Sequence, residues 1–267
     1  MKLKRKFVEK PWGQDALPDI FDDKSDRKIG EVWFEAPKGI TPRLMTKYLF
    51  TSEKLSIQVH PNDRQARRIG LPHGKEECWY ILDAKPGAVL GLGLKKTVSA
   101  TKLKTAAILG EIEQLIDWKP VKPGEFYYVP AGTIHAIGAD ISVVEIQQNV
   151  DITYRIYDYG RPRELHLDEA MAIAKLAPYD LKYSQEVPDD QSLCLSTGSP
   201  FEIYQIIGTD GEILSKSKSK EWQVIPLEGS VTVRGKLIKA GECGICPHLS
   251  DMDFSKNKKS LIACTIA

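Results

Sequence analysis

Glycine and proline divide this chain into short runs of β-branched and aromatic residues. The 267 residues include 20 glycines and 16 prolines. Such runs, bounded by turn-forming residues, are typical of β-strands. Strands are predicted over residues 29–35, 43–50, 55–60, 78–82, 126–130, 141–148, 201–207, 222–227, 230–234 and 260–266. Many short strands with few helices favour a sandwich or barrel, so the sequence predicts an all-β protein.

Helical signals are confined to a few short segments. Asn62 can cap a helix that Gly70 ends, and an imperfect apolar stripe follows later in the chain. Helices are therefore predicted over residues 62–69, about 100–116, and 167–176.

A glycine and a proline separated by five residues occur twice. Residues 124–130 read GEFYYVP and residues 241–247 read GECGICP. The first copy continues into a histidine segment, AGTIHAIG, whereas the second does not. This internal repeat indicates two related β-barrel modules, one of which lacks the histidine. Because the segment from 178 to 200 is polar and rich in turn residues, we expect domains at 1–177 and 178–267.

Charge and cysteine content exclude several classes of protein. The chain has 37 lysines and arginines against 36 aspartates and glutamates, which argues against a partner that is nucleic acid or an anionic membrane. No apolar run is long enough for a signal peptide or a membrane span. The 5 cysteines are odd in number and scattered, so a reducing cytoplasm is expected. Cys243 and Cys246 form an isolated C-x2-C, which we interpret as buried small side chains.

Three segments carry the candidate site residues. In LSIQVHPND, residues 55–63, strand alternation places Ser56, Gln58 and His60 on one face. In GKEECWYIL, residues 74–82, alternation places Glu76 and Glu77 on opposite faces and does not decide which acid points inward.

The third segment, PGEFYYVPAGTIHAIG at 123–138, carries His135 five residues after Pro130. Two histidines, an acid and an amide that converge from three strands suit a divalent first-row metal ion. The scarcity of histidine, with 5 in the chain, leaves few other candidates.

These motifs resemble a known family. Gly124, Pro130, Gly132 and His135 form G-x5-P-x-G-x2-H, which resembles the second conserved motif of the cupin β-barrels. LSIQVHPND, GKEECWYIL, PAGTIHAIG and EIQQNVDITYRIYDYGR more specifically resemble the short bacterial form of the type I mannose-6-phosphate isomerases, and KPWG and IGEVWF fit the same family. The resemblance covers roughly residues 7–175. It implies a double cupin, two jelly-roll-like barrels with a few short helices, of which the second is degenerate.

The resemblance also implies a metal cofactor. One zinc ion per chain would be held by Gln58, His60, Glu77 and His135. Glu77 is preferred to Glu76 because the family acid lies two residues before the tryptophan. Other divalent metals remain open, since a neutral amide is a weak ligand.

The implied reaction interconverts mannose 6-phosphate and fructose 6-phosphate through a cis-enediol or cis-enediolate. Arg155 is the implied active-site cation, and Ser56 and Lys75 are implied to bind the substrate or its phosphate, with Lys47 as a further candidate. Glu145 is our candidate for proton transfer, although it could instead orient Arg155. A metal-bound water, Lys75 and Glu76 are the alternatives for the general base.

Two other functions fit the sequence less well. A cupin isomerase of glucose 6-phosphate usually binds its metal through an HxH pair, whose first position is Gln58 here. A non-catalytic sugar-binding cupin would lose the ligands or the arginine, and the first module keeps both. We expect a small-molecule sugar-phosphate substrate and a monomer or homodimer.

Overall fold

The computed structural model describes residues 1–23, 26–198, 200–209 and 211–266, which form three β-sheets. Twelve strands build the first two sheets: β1 (Lys4–Gln14), β2 (Ile29–Glu35), β3 (Leu44–Phe50), β4 (Ile57–Val59), β5 (Glu77–Ala84), β6 (Val89–Leu94), β7 (Ile116–Pro120), β8 (Glu125–Val129), β9 (His135–Ile137), β10 (Ile141–Gln148), β11 (Tyr154–Tyr157) and β12 (Ser184–Glu186). The third sheet contains β13 (Leu193–Ser196), β14 (Phe201–Ile207), β15 (Trp222–Val233), β16 (Lys236–Lys239), β17 (Gly244–Cys246), β18 (Met252–Asp253) and β19 (Asn257–Thr265).

Helices are short, as expected, and the second and third end earlier than the sequence suggested. The α-helices are α1 (Asp63–Arg68), α2 (Ala100–Ile108) and α3 (Leu167–Ile173). Short 3-10 turns cover Asp19–Phe21, Ile112–Gln114, Leu181–Tyr183, Glu212–Lys216 and Leu249–Asp251. The prediction of a helix to residue 116 is wrong, because Gly110 adopts a left-handed φ of +74° after α2 and residue 116 begins β7.

The three sheets are stacked in layers. The middle sheet has the strand order β1-β2-β3-β10-β5-β8-β12. One face of this sheet packs against the five-stranded sheet β11-β4-β9-β6-β7, as Trp79 and Val143 cluster with Leu90 and Ile137. Helices α2 and α3 cover the outer face of that five-stranded sheet.

The other face of the middle sheet packs against the third sheet. Tyr48 and Ile146 of the middle sheet share one apolar cluster with Phe201 and Ile225 of the third. Burial of apolar side chains on both faces therefore fixes the middle sheet between the modules. The expected all-β double cupin with a few short helices is confirmed.

The strands differ most from the sequence prediction where a glycine or charged residues interrupt the alternation of apolar and polar residues. Residues 222–227 and 230–234 were predicted as two strands, but they form the single strand β15, which is irregular beside Gly229 at φ +73°. β1 was not predicted, because its apolar residues are interrupted by lysines at the sheet edge.

The repeated G-x5-P segments occupy similar positions in the two modules. Gly124 and Gly241 both have left-handed φ values, +84° and +76°, and β8 and β17 follow them. Strand β12 pairs with β8 in the middle sheet. The division at residue 177/178 stays a prediction.

Candidate active site

Strand β4 directs polar side chains into the space between the two sheets of the first module. Ile57 and Val59 pack on the opposite face, in the cluster that contains helices α2 and α3. The Ser56 hydroxyl donates a hydrogen bond to Gln58 Oε1 at 3.1 Å. His60, directly after the strand, is 1% exposed. The alternation predicted for residues 56–60 therefore matches the packing.

Strand β5 places one of the two neighbouring acids at this histidine. Glu77 is buried, and its Oε2 lies 3.4 Å from His60 Nε2. Glu76 instead accepts a hydrogen bond from the Tyr128 hydroxyl. The buried Lys75 ammonium donates to Glu77 Oε2 and lies 3.1 Å from His60 Nε2.

Strand β9 brings the second histidine to the cluster. His135 is the register partner of Gln58 on β4, and its Nε2 lies 3.3 Å from Glu77 Oε1. The turn before it is tied to the first histidine, because the Gly132 N–H donates to the His60 carbonyl at 2.9 Å. One ligand atom each from His60, Glu77 and His135 lies within 4.8 Å of the others.

Backbone carbonyls fix which imidazole nitrogen faces the cluster. His60 Nδ1 lies 2.8 Å from the Ile152 carbonyl, and His135 Nδ1 lies 2.9 Å from the Thr133 carbonyl. A carbonyl only accepts, so each Nδ1 carries the proton and donates it. Each Nε2 is then left with its lone pair, as in metal-binding histidines. This atom lies 3.1 Å from Lys75 Nζ in His60 and 3.3 Å from Gln58 Nε2 in His135, and both lie close to Glu77.

The protonation states of His60, His135 and Glu77 suit the binding of a cation. Burial and the Lys75 ammonium lower the pKa of His60 to about 3, and burial lowers the pKa of His135. Burial alone would raise the pKa of Glu77, but Lys75 and His60 outweigh it and hold that pKa well below its usual range. Neutral imidazoles and an ionised carboxylate are the forms that bind metals.

The donor set fits a divalent transition metal. Glu77 Oε1 is buried without a hydrogen-bond partner in the described part of the chain. Gln58 is next to this group, with its Nε2 3.3 Å from His135 Nε2 and its Oε1 accepting from Ser56. Two imidazoles, a carboxylate and an amide match the ligand preferences of such an ion. His60, Glu77 and His135 thus form a group that can hold a metal.

Glu145 lies near this cluster on strand β10, paired across the sheet with Lys47 and Trp79. The Trp79 indole N–H donates to Glu145 Oε2 at 3.1 Å, and Lys47 Nζ lies 2.8 Å from Oε1. Burial and the Glu77 carboxylate raise the pKa of Glu145. Burial alone would lower the pKa of Lys47, but Glu145 and Glu31 outweigh it and raise it. Acids and ammonium groups therefore alternate along the inner wall.

A cleft of about 270 Å³ opens over this wall. It is lined by six residues singled out from the sequence: Lys47, Ser56, Gln58, Lys75, Glu145 and Arg155. The Arg155 guanidinium donates to the Glu164 carbonyl at 3.2 Å, and burial and neighbouring Arg163 lower its pKa. The structure therefore brings the predicted metal ligands and the predicted substrate-binding residues to one place.

Sequence reasoning missed several residues that line the same cleft: Lys10, Trp12, Glu31, Trp33, Gln147 and Arg163. Lys10 and Trp12 belong to the motif KPWG, and Glu31 and Trp33 belong to IGEVWF, so these motifs could have identified the four residues. Arg163 is held by buried Asp158, whose two oxygens lie 2.5 and 2.6 Å from the guanidinium.

A larger cavity of about 700 Å³ lies elsewhere, lined by residues such as Leu17, Phe50, Asp140 and Leu227. It contains none of the predicted site residues, so volume alone does not identify the site. No helix in the described ranges is both long and apolar enough to cross a membrane.

The fold and the site together define a class. The chain is a double cupin whose first two sheets bring two histidines, a glutamate and a glutamine to a polar cleft, as in metal-dependent cupin enzymes.

Comparison with known proteins identifies the family. Mannose-6-phosphate isomerase ManA of Bacillus subtilis is 36% identical over 209 residues, 64% of this chain and 66% of that protein. The chain thus spans slightly less than two thirds of that relative's length. The crystal structure of the mannose 6-phosphate isomerase from Bacillus subtilis is 30% identical, with a TM-score of 0.77 and coverage of 99% of both chains. The chain belongs to the mannose-6-phosphate isomerase family.

A more distant structure supports the fold alone. A zinc-bound holo mannose 6-phosphate isomerase is 14% identical with a TM-score of 0.71, over 100% of this chain and 99% of that one. No protein-family model matches the chain.

Proposed function

We propose that this protein interconverts mannose 6-phosphate and fructose 6-phosphate. The observation that carries the proposal is the buried His60–Glu77–His135 group beside a cleft that also presents Lys75 and Arg155. Family membership supports this proposal, because the related proteins are named mannose-6-phosphate isomerases.

We propose zinc as the cofactor, one ion per chain, held by Gln58, His60, Glu77 and His135. When bound, the zinc ion supplies Lewis-acid stabilisation of the charge that develops on the oxygens of C1 and C2. A zinc-bound mannose 6-phosphate isomerase with the same fold supports this choice of metal.

The substrate is positioned by side chains of the cleft wall. Ser56, Lys47 and Lys75 contact the substrate or its phosphate, although each ammonium group also faces a carboxylate. Arg155, on strand β11 of the five-stranded sheet, adds a positive charge to the cleft. Its Nε has no hydrogen-bond partner among the described residues. A local group of cations is needed, since the chain as a whole has a net charge of only +1.

Glu145 moves the proton. Its Oε1 accepts the proton from C2 and returns it to C1, the hydroxyl proton of O2 passes to O1 in the cis-enediol, and the Trp79 indole holds Oε2 at 3.1 Å. Lys47, 2.8 Å from Oε1, stabilises the carboxylate before proton transfer. Glu76 is less suited, because its carboxylate is bonded to Tyr128 on the other face of β5.

The division of labour follows the modules. All the proposed site residues precede residue 178, so we assign catalysis to residues 1–177 and a structural role to residues 178–267. The five free cysteines are consistent with a cytoplasmic location, and we expect a monomer or homodimer.

A coupled assay with metal analysis tests the proposal. The purified protein should contain about one zinc per chain and isomerise mannose 6-phosphate faster than glucose 6-phosphate. Absence of bound metal together with no turnover of either sugar would contradict the proposal.

Glu145→Gln tests the proton-transfer step. Because a positioned acid–base group contributes roughly 100- to 10,000-fold, kcat should fall by about 100-fold or more, and exchange of the C2 proton with solvent should fall with it. Glu76→Gln is the matched control and should retain turnover. A Glu145→Gln enzyme with unchanged turnover and exchange would refute the assignment.

A further inference from the structure

Two unpartnered buried polar atoms belong to residues that line the cleft. Apart from Glu145 Oε1, which is paired with the Lys47 ammonium, six buried side-chain nitrogen or oxygen atoms in the described part of the chain have no hydrogen-bond partner, and those of Gln147 and Arg155 lie on cleft-lining residues. Buried polar groups are normally paired, so each exception needs an explanation. The mechanism above uses Glu145 and Arg155 but not Gln147.

The orientation of the Gln147 amide is fixed by the backbone. Gln147 is 2% exposed, and its Nε2 donates to the carbonyls of Gln148 at 3.0 Å and Val150 at 3.2 Å. A rotated amide would direct its oxygen at two other acceptors, which is unfavourable. The free atom is therefore Oε1, a neutral acceptor with no donor capacity.

Gln147 is also close to the reacting end of the cleft. It is two residues beyond Glu145 on β10 and shares its face, which places the two Cα atoms about 7 Å apart. Across the sheet its register partner is Glu77. An acceptor at this distance from the proton-transferring carboxylate reaches sugar carbons beyond C1 and C2.

We propose that Gln147 Oε1 accepts a hydrogen bond from a hydroxyl group on C3, C4 or C5 of the bound sugar phosphate. This proposal rests on the proposed function and adds a specificity-determining contact to it. A fixed acceptor whose own donors are already used selects a substrate hydroxyl and discriminates against a sugar that lacks it.

Gln147→Met tests this contact, because it keeps the side-chain length and removes the acceptor. With mannose 6-phosphate, kcat/KM should fall by roughly 10- to 100-fold. With the 3-deoxy, 4-deoxy and 5-deoxy analogues, one analogue should show almost no further loss in the variant, since its missing hydroxyl is the partner of Gln147. Equal losses on all four substrates would overturn the proposal, because a structural or water-binding role predicts them.

Gln148→Met is the matched control. Gln148 is the same residue type, is 5% exposed on the same strand, and has both amide atoms paired, with Asp63 Oδ1 and the Glu76 N–H at 3.0 Å each. Any loss it causes should be the same for the parent sugar and the analogues. A selective loss in this control as well would count against the assignment to Gln147.

Calorimetric binding separates failure of this contact from failure of the proposed function. If the wild-type protein does not turn over mannose 6-phosphate, the proposed activity is wrong. The affinities of wild type and Gln147→Met for the sugar phosphate and its deoxy analogues then test the contact, because one analogue should again lose almost no affinity in the variant. If the wild type binds none of these sugars, the proposed Gln147 contact is wrong.

Discussion

At the scale of single residues, the site depends on which atom of each side chain is already used. The two Nδ1 atoms of His60 and His135 are engaged with backbone carbonyls, so their Nε2 atoms converge on Glu77. The same reasoning identifies Oε1 of Gln147 as the free acceptor at the cleft. Hydrogen bonds to the backbone thus determine what each residue can bind.

Removing one imidazole should weaken metal binding. In His135→Ala the cluster loses a neutral nitrogen ligand, so metal content should fall well below that of the wild type. A metal present at about 100 times its Kd stabilises the folded state by about 3 kcal/mol, so the difference in Tm with and without a chelator should shrink in the variant. Metal analysis and thermal denaturation measure these effects.

The control for this experiment is His248→Ala. His248 is exposed in the second module, so its removal should leave metal content and the chelator effect unchanged. Full metal content in His135→Ala would show that His135 is not a ligand.

At the scale of elements, a close backbone contact holds two site segments together. Gly74 precedes β5, and a Cβ atom there would lie 2.4 Å from the Pro61 oxygen and 2.7 Å from the Asp63 nitrogen. Only glycine permits this approach. The Lys75 N–H donates to the same Pro61 carbonyl at 3.0 Å, so the start of β5 is fixed against the segment that follows His60.

Gly74→Ala should therefore disturb both stability and metal binding. The added methyl group meets backbone that cannot yield locally, and such overpacking costs about 1–3 kcal/mol. Because the displaced segments carry His60 and Glu77, metal affinity should fall as well. Denaturant unfolding and metal titration measure the two effects.

Gly211→Ala is the comparison, since a Cβ there would lie 3.6 Å from Phe254, an ordinary contact. It should change neither quantity appreciably. A Gly74→Ala protein with wild-type metal affinity would contradict the link between this contact and the site.

The sequence predicted strands best where alternation was clear. Ser56, Gln58 and His60 were placed on one face correctly, because a strand with aliphatic residues on its other face has one stable orientation. Glu76 and Glu77 could not be separated in this way, since both faces of β5 are buried in the structure. The choice between them required the family motif.

Other parts of the site depend on contacts that sequence patterns do not contain. The free oxygen of Gln147 follows from the Val150 carbonyl in a loop. Lys10 reaches the cleft from β1, an edge strand whose lysines conceal its alternation. The internal repeat of two glycine–proline segments did predict the second module, because turn positions require a left-handed φ in both copies.

At the scale of the whole molecule, the third sheet supports the face of the middle sheet that points away from the cleft. On β3, Lys47 faces the cleft, whereas Thr46 faces the third sheet. Gln223 of β15 is fully buried, accepts a hydrogen bond from the Thr46 hydroxyl at 2.8 Å, and donates to the Leu44 carbonyl at 2.8 Å. The adjoining apolar cluster contains residues of both modules.

Thr46 and Gln223 should therefore be energetically coupled across the modules. Each single variant, Thr46→Val or Gln223→Leu, leaves a buried partner unpaired, which costs about 1–3 kcal/mol. The double variant removes the hydroxyl and the amide together, so its loss in unfolding free energy should be smaller than the sum by about 0.5–3 kcal/mol. Denaturant unfolding should show one transition for all four proteins, because the shared core joins the modules. Additive losses, or separate transitions for the two modules, would mean that the second module does not stabilise the strand that carries Lys47.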